Sequence, residues 1–137
     1  MAASADLTLV PLPATLKAHL RARDLPRLRA SGPLGRLLAA QSQARGDEAG
    51  MRELARAHPG LPDDLLNFHH DPLTCAVALS WPGAAIETLP LLPVVDDHVL
   101  RFQHDQDGRP TKVAADLDAE SFPATWLAAV EAAQTRR

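Results

Sequence analysis

The sequence is poor in cysteine, with one such residue, Cys75, among 137. A single thiol excludes an intrachain disulfide and any zinc site built mainly from cysteines. Cys75 lies within the apolar run Leu73–Leu79, where a thiol usually packs as a small hydrophobic side chain. We therefore expect Cys75 to be buried.

The sequence also lacks a long hydrophobic run. No stretch approaches the roughly 18 apolar residues that cross a bilayer. The opening segment, MAASADLTLV, does not place a basic stretch before an apolar one, as a secretory signal does. These absences argue against a membrane partner, and we predict a cytoplasmic protein in a reducing environment.

No charge of one sign dominates, because 14 Lys and Arg residues stand against 17 Asp and Glu residues. The net charge of −3 gives no electrostatic reason to expect a nucleic-acid partner. One stretch is locally rich in arginine: Arg21, Arg23, Arg27, Arg29 and Arg36. We interpret it as a solvated helix face, with a phosphate-binding patch as the alternative.

What the sequence does contain is the composition of a globular domain, with 46% hydrophobic and 23% charged residues. Its length matches a single domain, residues 1–137. A short buried strand is predicted at Leu7–Leu12. Leu16 and Leu20, spaced by one helical turn, predict a helix over about Thr15–Arg23. Three more helices are predicted: one capped by Asp24 and reaching Ala30, one from Leu34 to about Ala44, and one over Met51–Ala57.

The hydrophobic period changes in the last third of the chain. Ile86–Val95 and His98–His104 are predicted to be extended. The turn residues Asp105–Gly108 predict that Thr111–Leu117 returns beside His98–His104 as a hairpin. Asp118 is predicted to cap a final helix to about residue 133. The whole pattern indicates an α/β fold, with helices packed on a small mixed sheet, a C-terminal β-hairpin and a final helix.

The segment NFHHDPLTCAVAL, residues 67–79, has the residue types that carry chemistry. Asp71 and Pro72 predict a helix start, with Asp71 as the N-cap, and the apolar residues that follow predict a helix buried all round. A carboxylate can cap with one oxygen and bind a hard cation with the other. A histidine such as His70 can donate a proton near neutral pH. From chemistry alone, plain capping for Asp71 and an ordinary polar role for His69 and His70 are favoured.

A resemblance adds a sharper interpretation. The sequence is similar to the C-terminal part of the inosine-uridine-preferring nucleoside hydrolases. Four segments carry the likeness in order: LTLVPLPAT at 7–15, Ser31-Gly32-Pro33-Leu34, His70-Asp71-Pro72-Leu73, and VAADLDAESFPATW over Val113–Trp126. The resemblance implies the C-terminal portion of an α/β fold with a mixed sheet, and hydrolysis of the N-glycosidic bond of ribonucleosides. It also implies a calcium cofactor, with Asp71 as a metal ligand and His70 as the residue that protonates the departing base.

One departure from the family limits what the resemblance implies. The family's Asp-x-Asp-x-x-x-Asp-Asp signature, which supplies most calcium ligands and the catalytic base, does not occur in the sequence. Asp105-Gln106-Asp107-Gly108 also fails as an EF-hand and is expected to be a turn. A single aspartate cannot supply the six to eight oxygen ligands that calcium normally takes. We therefore expect the chain to be inactive alone.

Three hypotheses follow. In the first, a partner chain that carries the missing aspartates completes a nucleoside hydrolase site. In the second, the chain is a non-catalytic binding or assembly module, which self-associates to cover an exposed edge near Leu7–Leu12. The third, an unrelated small enzyme that uses His70 and Asp71, lacks an identifiable nucleophile or second base.

Overall fold

The computed structural model describes residues 6–134. We predicted no secretory signal at the start of the sequence, and residues 1–5 of that segment lie outside the described residues. Within the described part, no helix combines the length and the apolar character needed to cross a membrane.

The fold is mixed α/β, as predicted. The helices are α1 (Leu12–Thr15), α2 (Leu25–Ala30), α3 (Pro33–Glu48), α4 (Met51–Ala57), α5 (His70–Ala78) and α6 (Phe122–Gln134), with a single 3₁₀ turn at Ala22–Asp24. The strands are β1 (Thr8–Leu9), β2 (His19–Arg21), β3 (Leu65–Phe68), β4 (Ala84–Asp96), β5 (Val99–His104) and β6 (Arg109–Leu117). Four strands form a mixed sheet in the order β1-β6-β4-β5, and β2 and β3 form a separate antiparallel pair.

The predicted hairpin around Asp105–Gly108 is wrong in its pairing, although the turn itself exists. The N–H of Gly108 donates to the carbonyl of Asp105 at 3.0 Å. The strands on either side do not pair, because β5 lies along the second half of β4 and β6 along its first half, on opposite edges. The observed hairpin joins β4 to β5 through Asp97 and His98, which both have positive φ.

The turn therefore carries the chain across β4 close to Leu91, which pairs with His104 on one side and Arg109 on the other. The crossing is close. A Cβ placed on Gly108 would lie 2.5 Å from the backbone nitrogen of Leu91. Only a residue without a side chain fits such an approach of two backbones.

The first elements also differ from the prediction. The expected buried strand Leu7–Leu12 is reduced to the two residues of β1, at the edge of the sheet, and both Leu7 and Leu12 are exposed. The expected helix Thr15–Arg23 is wrong, since α1 ends at Thr15 and β2 follows. The backbone of β2 pairs with β3, a partner more than 40 residues away along the chain. Local hydrophobic spacing carries no information about such a partner.

The later helices are closer to expectation. α4 has the predicted bounds, α2 ends at Ala30 as predicted, and α3 runs four residues beyond the predicted end. The final helix is confirmed, with Phe122, Leu127 and Val130 buried along one side. These three side chains belong to two separate apolar clusters. Leu127 and Val130 pack with residues of α2, α3, β2 and β3, whereas Phe122 packs with α5 and β6, and Trp126 touches both clusters.

Candidate functional site

The site begins where β3 ends and α5 starts. His69 follows β3, and its backbone N–H donates to the carbonyl of Ala18 at 2.9 Å, which continues the pairing of β3 with β2. The helix then starts at His70, with His69 as the N-cap. Both histidines therefore lie at the junction of a strand and a helix, of which the sequence predicted only the helix start. The junction borders a cleft of about 320 Å³, whose walls include Ser42, Asn67, His70, Asp71 and Trp126.

His70 is fixed by a contact that the sequence did not reveal. Its Nδ1 lies 2.7 Å from Oγ1 of Thr15, a buried residue at the end of α1. The Thr15 hydroxyl donates its one hydrogen to the carbonyl of Leu12 at 3.0 Å. It must therefore accept from His70, so Nδ1 carries a proton. This leaves Nε2 of His70 as the ring nitrogen without a hydrogen bond to a described residue.

An aromatic side chain packs against one face of the His70 ring. Phe68 stacks on it with a centroid distance of 5.5 Å and an interplanar angle of 28°. Phe68 in turn contacts His19 edge-on at 5.5 Å. The Nε2 of His19 lies 2.9 Å from the carbonyl of Leu16, to which it donates. The ring of His70 thus has a hydrogen bond at one nitrogen and a ring on its face, which restricts its rotation.

His69 is a structural residue rather than a second reactive histidine. Its side chain is 3% exposed and lies between Phe122, at 5.5 Å, and Trp126, at 4.8 Å between ring centroids. Its Nε2 has no hydrogen-bond partner among the described residues. Burial, together with the nearby charge of His19, lowers the pKa of His69 to about 4. The ring is therefore neutral at physiological pH.

Asp71 does not cap the helix, so that prediction is wrong. The helix begins at His70, two residues before the predicted first helical residue Pro72, and among the described residues no side chain makes a cap hydrogen bond to it. Asp71 is instead exposed in the first turn, where the helix dipole favours a negative charge. Its carboxylate makes no hydrogen bond or ion pair with another described residue, and both oxygens are open to an external group.

The predictions for the rest of α5 are also wrong. Cys75 is exposed, Leu79 is 83% exposed, and Leu73 is the buried residue of the helix. One side of α5 packs against α1 and against Ala114 of the sheet. The described residues place no layer on its other side, so an apolar sequence does not suffice to bury it.

Three of the five residues in the arginine-rich stretch make side-chain contacts with other parts of the chain. Arg21 pairs with Asp64, and Arg27 makes a two-pronged contact with Glu131 at 2.7 Å for each nitrogen. Arg29 donates to Gln43 at 2.7 Å. The cleft of about 620 Å³ beside this stretch also contains Asp24, Asp118 and Glu120. Lys17, Arg21, Arg23 and Arg27 line the same cleft, so its charges are mixed and the phosphate-binding alternative stays a prediction.

The other aspartates do not assemble into a metal site. In the described part of the chain, no group of three or more His, Cys, Asp or Glu side chains could hold a metal ion. Asp64 is engaged by Arg21, Asp105 accepts from the N–H of Asp107, and Asp118 accepts from Ser121. Asp71 stands apart from all of these.

Comparisons with known proteins found no relative. No protein-family model matches the chain, and neither a curated protein nor a solved structure matches it.

Proposed function

We propose that this chain supplies the proton-donating part of a nucleoside hydrolase-type site, and that carboxylates from another polypeptide complete it. The observation that carries the proposal is the geometry of His70. Its ring is fixed through Nδ1 by buried Thr15, and its side chain borders a cleft next to Asp71. Neither Nε2 of His70 nor the carboxylate of Asp71 has a partner in the part of the chain that the structure describes.

The chemistry of N-glycosidic cleavage needs such a group. As the bond between sugar and base breaks, negative charge develops on the base, and a proton delivered to it makes the base a better leaving group. Histidine titrates closest to neutral pH among the common acids and is suited to this step. His70 in its charged form holds one proton toward Thr15 and would give the other, on Nε2, to the base. Trp126 on the cleft wall offers a flat apolar surface to a base.

The described residues do not fit a calcium ion. Calcium takes six to eight oxygen ligands, whereas the cleft contributes one carboxylate, that of Asp71, and no group of three suitable side chains occurs in the described part. We therefore assign no step of the reaction to calcium in this chain. On the proposal, Asp71 is one ligand of a site whose other ligands come from a partner.

The test is a titration of the isolated chain with inosine and with uridine, followed by long-range ¹H–¹⁵N correlation spectra of the imidazole rings. Binding should be weak, because a partial cleft covers little of the nucleoside. We expect shifts at His70 Nε2 and at the Trp126 indole, and no shift at the exposed His58, which serves as the internal control. Loss of the Trp126 shift in His70→Gln supports the proposal. Equal shifts at His58 and His70, or none at either, contradict it.

A second candidate function is a non-catalytic assembly module. It is favoured by the apolar side chains that the sheet leaves exposed, which include Val95, Val99, Leu100 and Phe102. Exposed apolar patches of this kind often mark a surface for another protein. A chain that associates with itself but gives no nucleoside-dependent shift at His70 would favour this candidate over the first.

A further inference from the structure

Strand β5 forms a free edge of the four-stranded sheet. Among the described strands, in the order β1-β6-β4-β5, it pairs with β4 alone, and all 6 of its residues are exposed. The opposite edge, β1, has 2 residues. Short edge strands offer little for another chain to pair with, whereas longer ones act as templates. β5 is therefore the edge on which a further strand can be added.

The turn before β5 determines which backbone groups of β5 face outward. Asp97 and His98 have φ values of 44° and 63°, as in a type I′ turn, and Asp96 pairs with Val99 directly beside them. The pair that closes such a turn is hydrogen-bonded, and hydrogen-bonded and non-hydrogen-bonded pairs alternate from there. The backbone groups of Val99 and of every second residue after it therefore point toward β4.

The intervening residues Leu100, Phe102 and His104 point their N–H and C=O groups away from β4. Pro93 supports this assignment. It lies opposite Phe102, in a pair that needs no backbone donor from β4, and proline has none. The outer edge of β5 is thus a regular row of unpaired donors and acceptors, none of which has a partner among the described residues.

We propose that β5 pairs antiparallel with β5 of a second copy of this chain, about a twofold axis between the two Phe102 residues. In this register Phe102 faces Phe102 of the second copy, and Leu100 faces His104. All three outward residues then lie opposite outward residues, so each pair exchanges both N–H···O bonds. Two sheets of four strands would become one continuous sheet. The inference does not rest on the proposed function.

Charge selects this register over its neighbours. An axis centred on Arg101 would place the two guanidinium groups directly opposite each other, which is destabilising. An axis centred on Gln103 would place Leu100 opposite Gln106, beyond the end of β5. In the proposed register Arg101 lies opposite Gln103 of the second copy. Asp105 of the second copy is two residues further along, and the long side chain of Arg101 can approach its carboxylate.

The side chains on one face of the strand agree with the backbone. Leu100 and Phe102 are 57% and 39% exposed, and Val95, which pairs with Leu100 on β4, is 72% exposed. Pairing about Phe102 brings Leu100 and Phe102 close to their equivalents in the second copy and removes part of them from water, whereas Val95 lies one strand further from the axis. Two six-residue strands bury less than the roughly 800 Å² per partner of a stable complex, so the dimer should be weak and concentration-dependent.

The first experiment is sedimentation equilibrium over about 10 to 500 µM, the range in which a weak complex forms. We expect a monomer at the low end and a dimer at the high end. Phe102→Lys places two positive charges across the axis and should abolish the dimer. Val95→Lys, on the same face but one strand from the edge, is the matched control and should retain it. Thermal melts establish that both variants are folded. A monomer throughout, or equal loss in both variants, would overturn the proposal.

The second experiment tests the register by oxidation to a disulfide. In a Cys75→Ser background, Phe102→Cys should form a covalent dimer, because Cα atoms of a hydrogen-bonded pair lie about 5.5 Å apart, within disulfide range. Arg101→Cys in the same background should not, because its two Cα atoms would lie more than about 7 Å apart. Equal cross-linking at the two positions, or faster cross-linking at Arg101→Cys, would refute the register.

Discussion

His69 should make the protein lose stability in mild acid. The ring is buried against Phe122 and Trp126 with its Nε2 unpaired, and burial lowers its pKa to about 4 in the folded chain. In the unfolded chain the ring has the ordinary pKa of about 6.5. Below that value His69 binds a proton in the unfolded state but not in the folded state. The free energy of unfolding therefore falls as the pH falls from about 6.5 to about 4.

The size of the effect follows from the two pKa values. The full difference corresponds to about 3 kcal/mol, of which about 2 kcal/mol is lost between pH 7.5 and pH 5. Carboxylates contribute little in this interval. Glu131, whose pKa is lowered by its hydrogen bond from Arg27, gains a proton in both states only at lower pH.

Urea denaturation at pH 7.5 and at pH 5 measures the loss directly. His69→Gln removes the titrating group and should reduce the loss to a fraction of a kcal/mol, whatever the substitution costs at pH 7.5. His58→Gln makes the same change at an exposed histidine and should leave the wild-type loss of about 2 kcal/mol intact. If the wild type and His69→Gln lose the same free energy between the two pH values, the reasoning about His69 is refuted.

Three further predictions concern packing, exposure and the histidine tautomer. Leu28→Ala should lower the free energy of unfolding by about 2 to 5 kcal/mol in urea melts. The control Leu37→Ala, at a residue that is 55% exposed, should change it by less than about 0.5 kcal/mol. Similar losses in the two variants would contradict the assigned core. Cys75 should react with a maleimide in the folded protein nearly as fast as in urea, and strong protection would show that it is covered. Thr15→Val should reduce the fraction of neutral His70 protonated on Nδ1, as read from imidazole ¹⁵N shifts at alkaline pH, and an unchanged tautomer ratio would remove Thr15 from the site.

The sequence predicted the elements whose information is local. α4 and α6 follow from hydrophobic spacing and from Gly and Pro punctuation, and the α/β class follows from the change of period near residue 86. The short β2 was mistaken for a helix because its partner, β3, is distant in sequence. Asp105–Gly108 was correctly recognised as a turn, but a turn does not specify which strands pair beside it. Because β4 is long, β6 pairs with its first half and β5 with its second half.

The candidate site was predicted in its location but not in its construction. His70 and Asp71 do lie at a helix start beside a cleft. The capping assignment failed by two residues, a shift that helix signals alone do not resolve. The contact between Thr15 and His70 joins residues that are 55 positions apart in the sequence, so no local pattern predicts it. The burial of His69 depends on the aromatic residues of α6, which reach it only in the folded chain.

On the function proposed above, His70 can protonate a departing base once carboxylates are supplied by another chain. The most direct measurement is inosine cleavage by this chain mixed with an N-terminal segment of a nucleoside hydrolase that carries the Asp-x-Asp-x-x-x-Asp-Asp strand, at saturating calcium. We expect no cleavage by the chain alone, cleavage by the mixture, and a loss of roughly 10²- to 10⁴-fold with His70→Ala. Cleavage by the chain alone, none by the mixture, or an unchanged rate with His70→Ala would contradict the account.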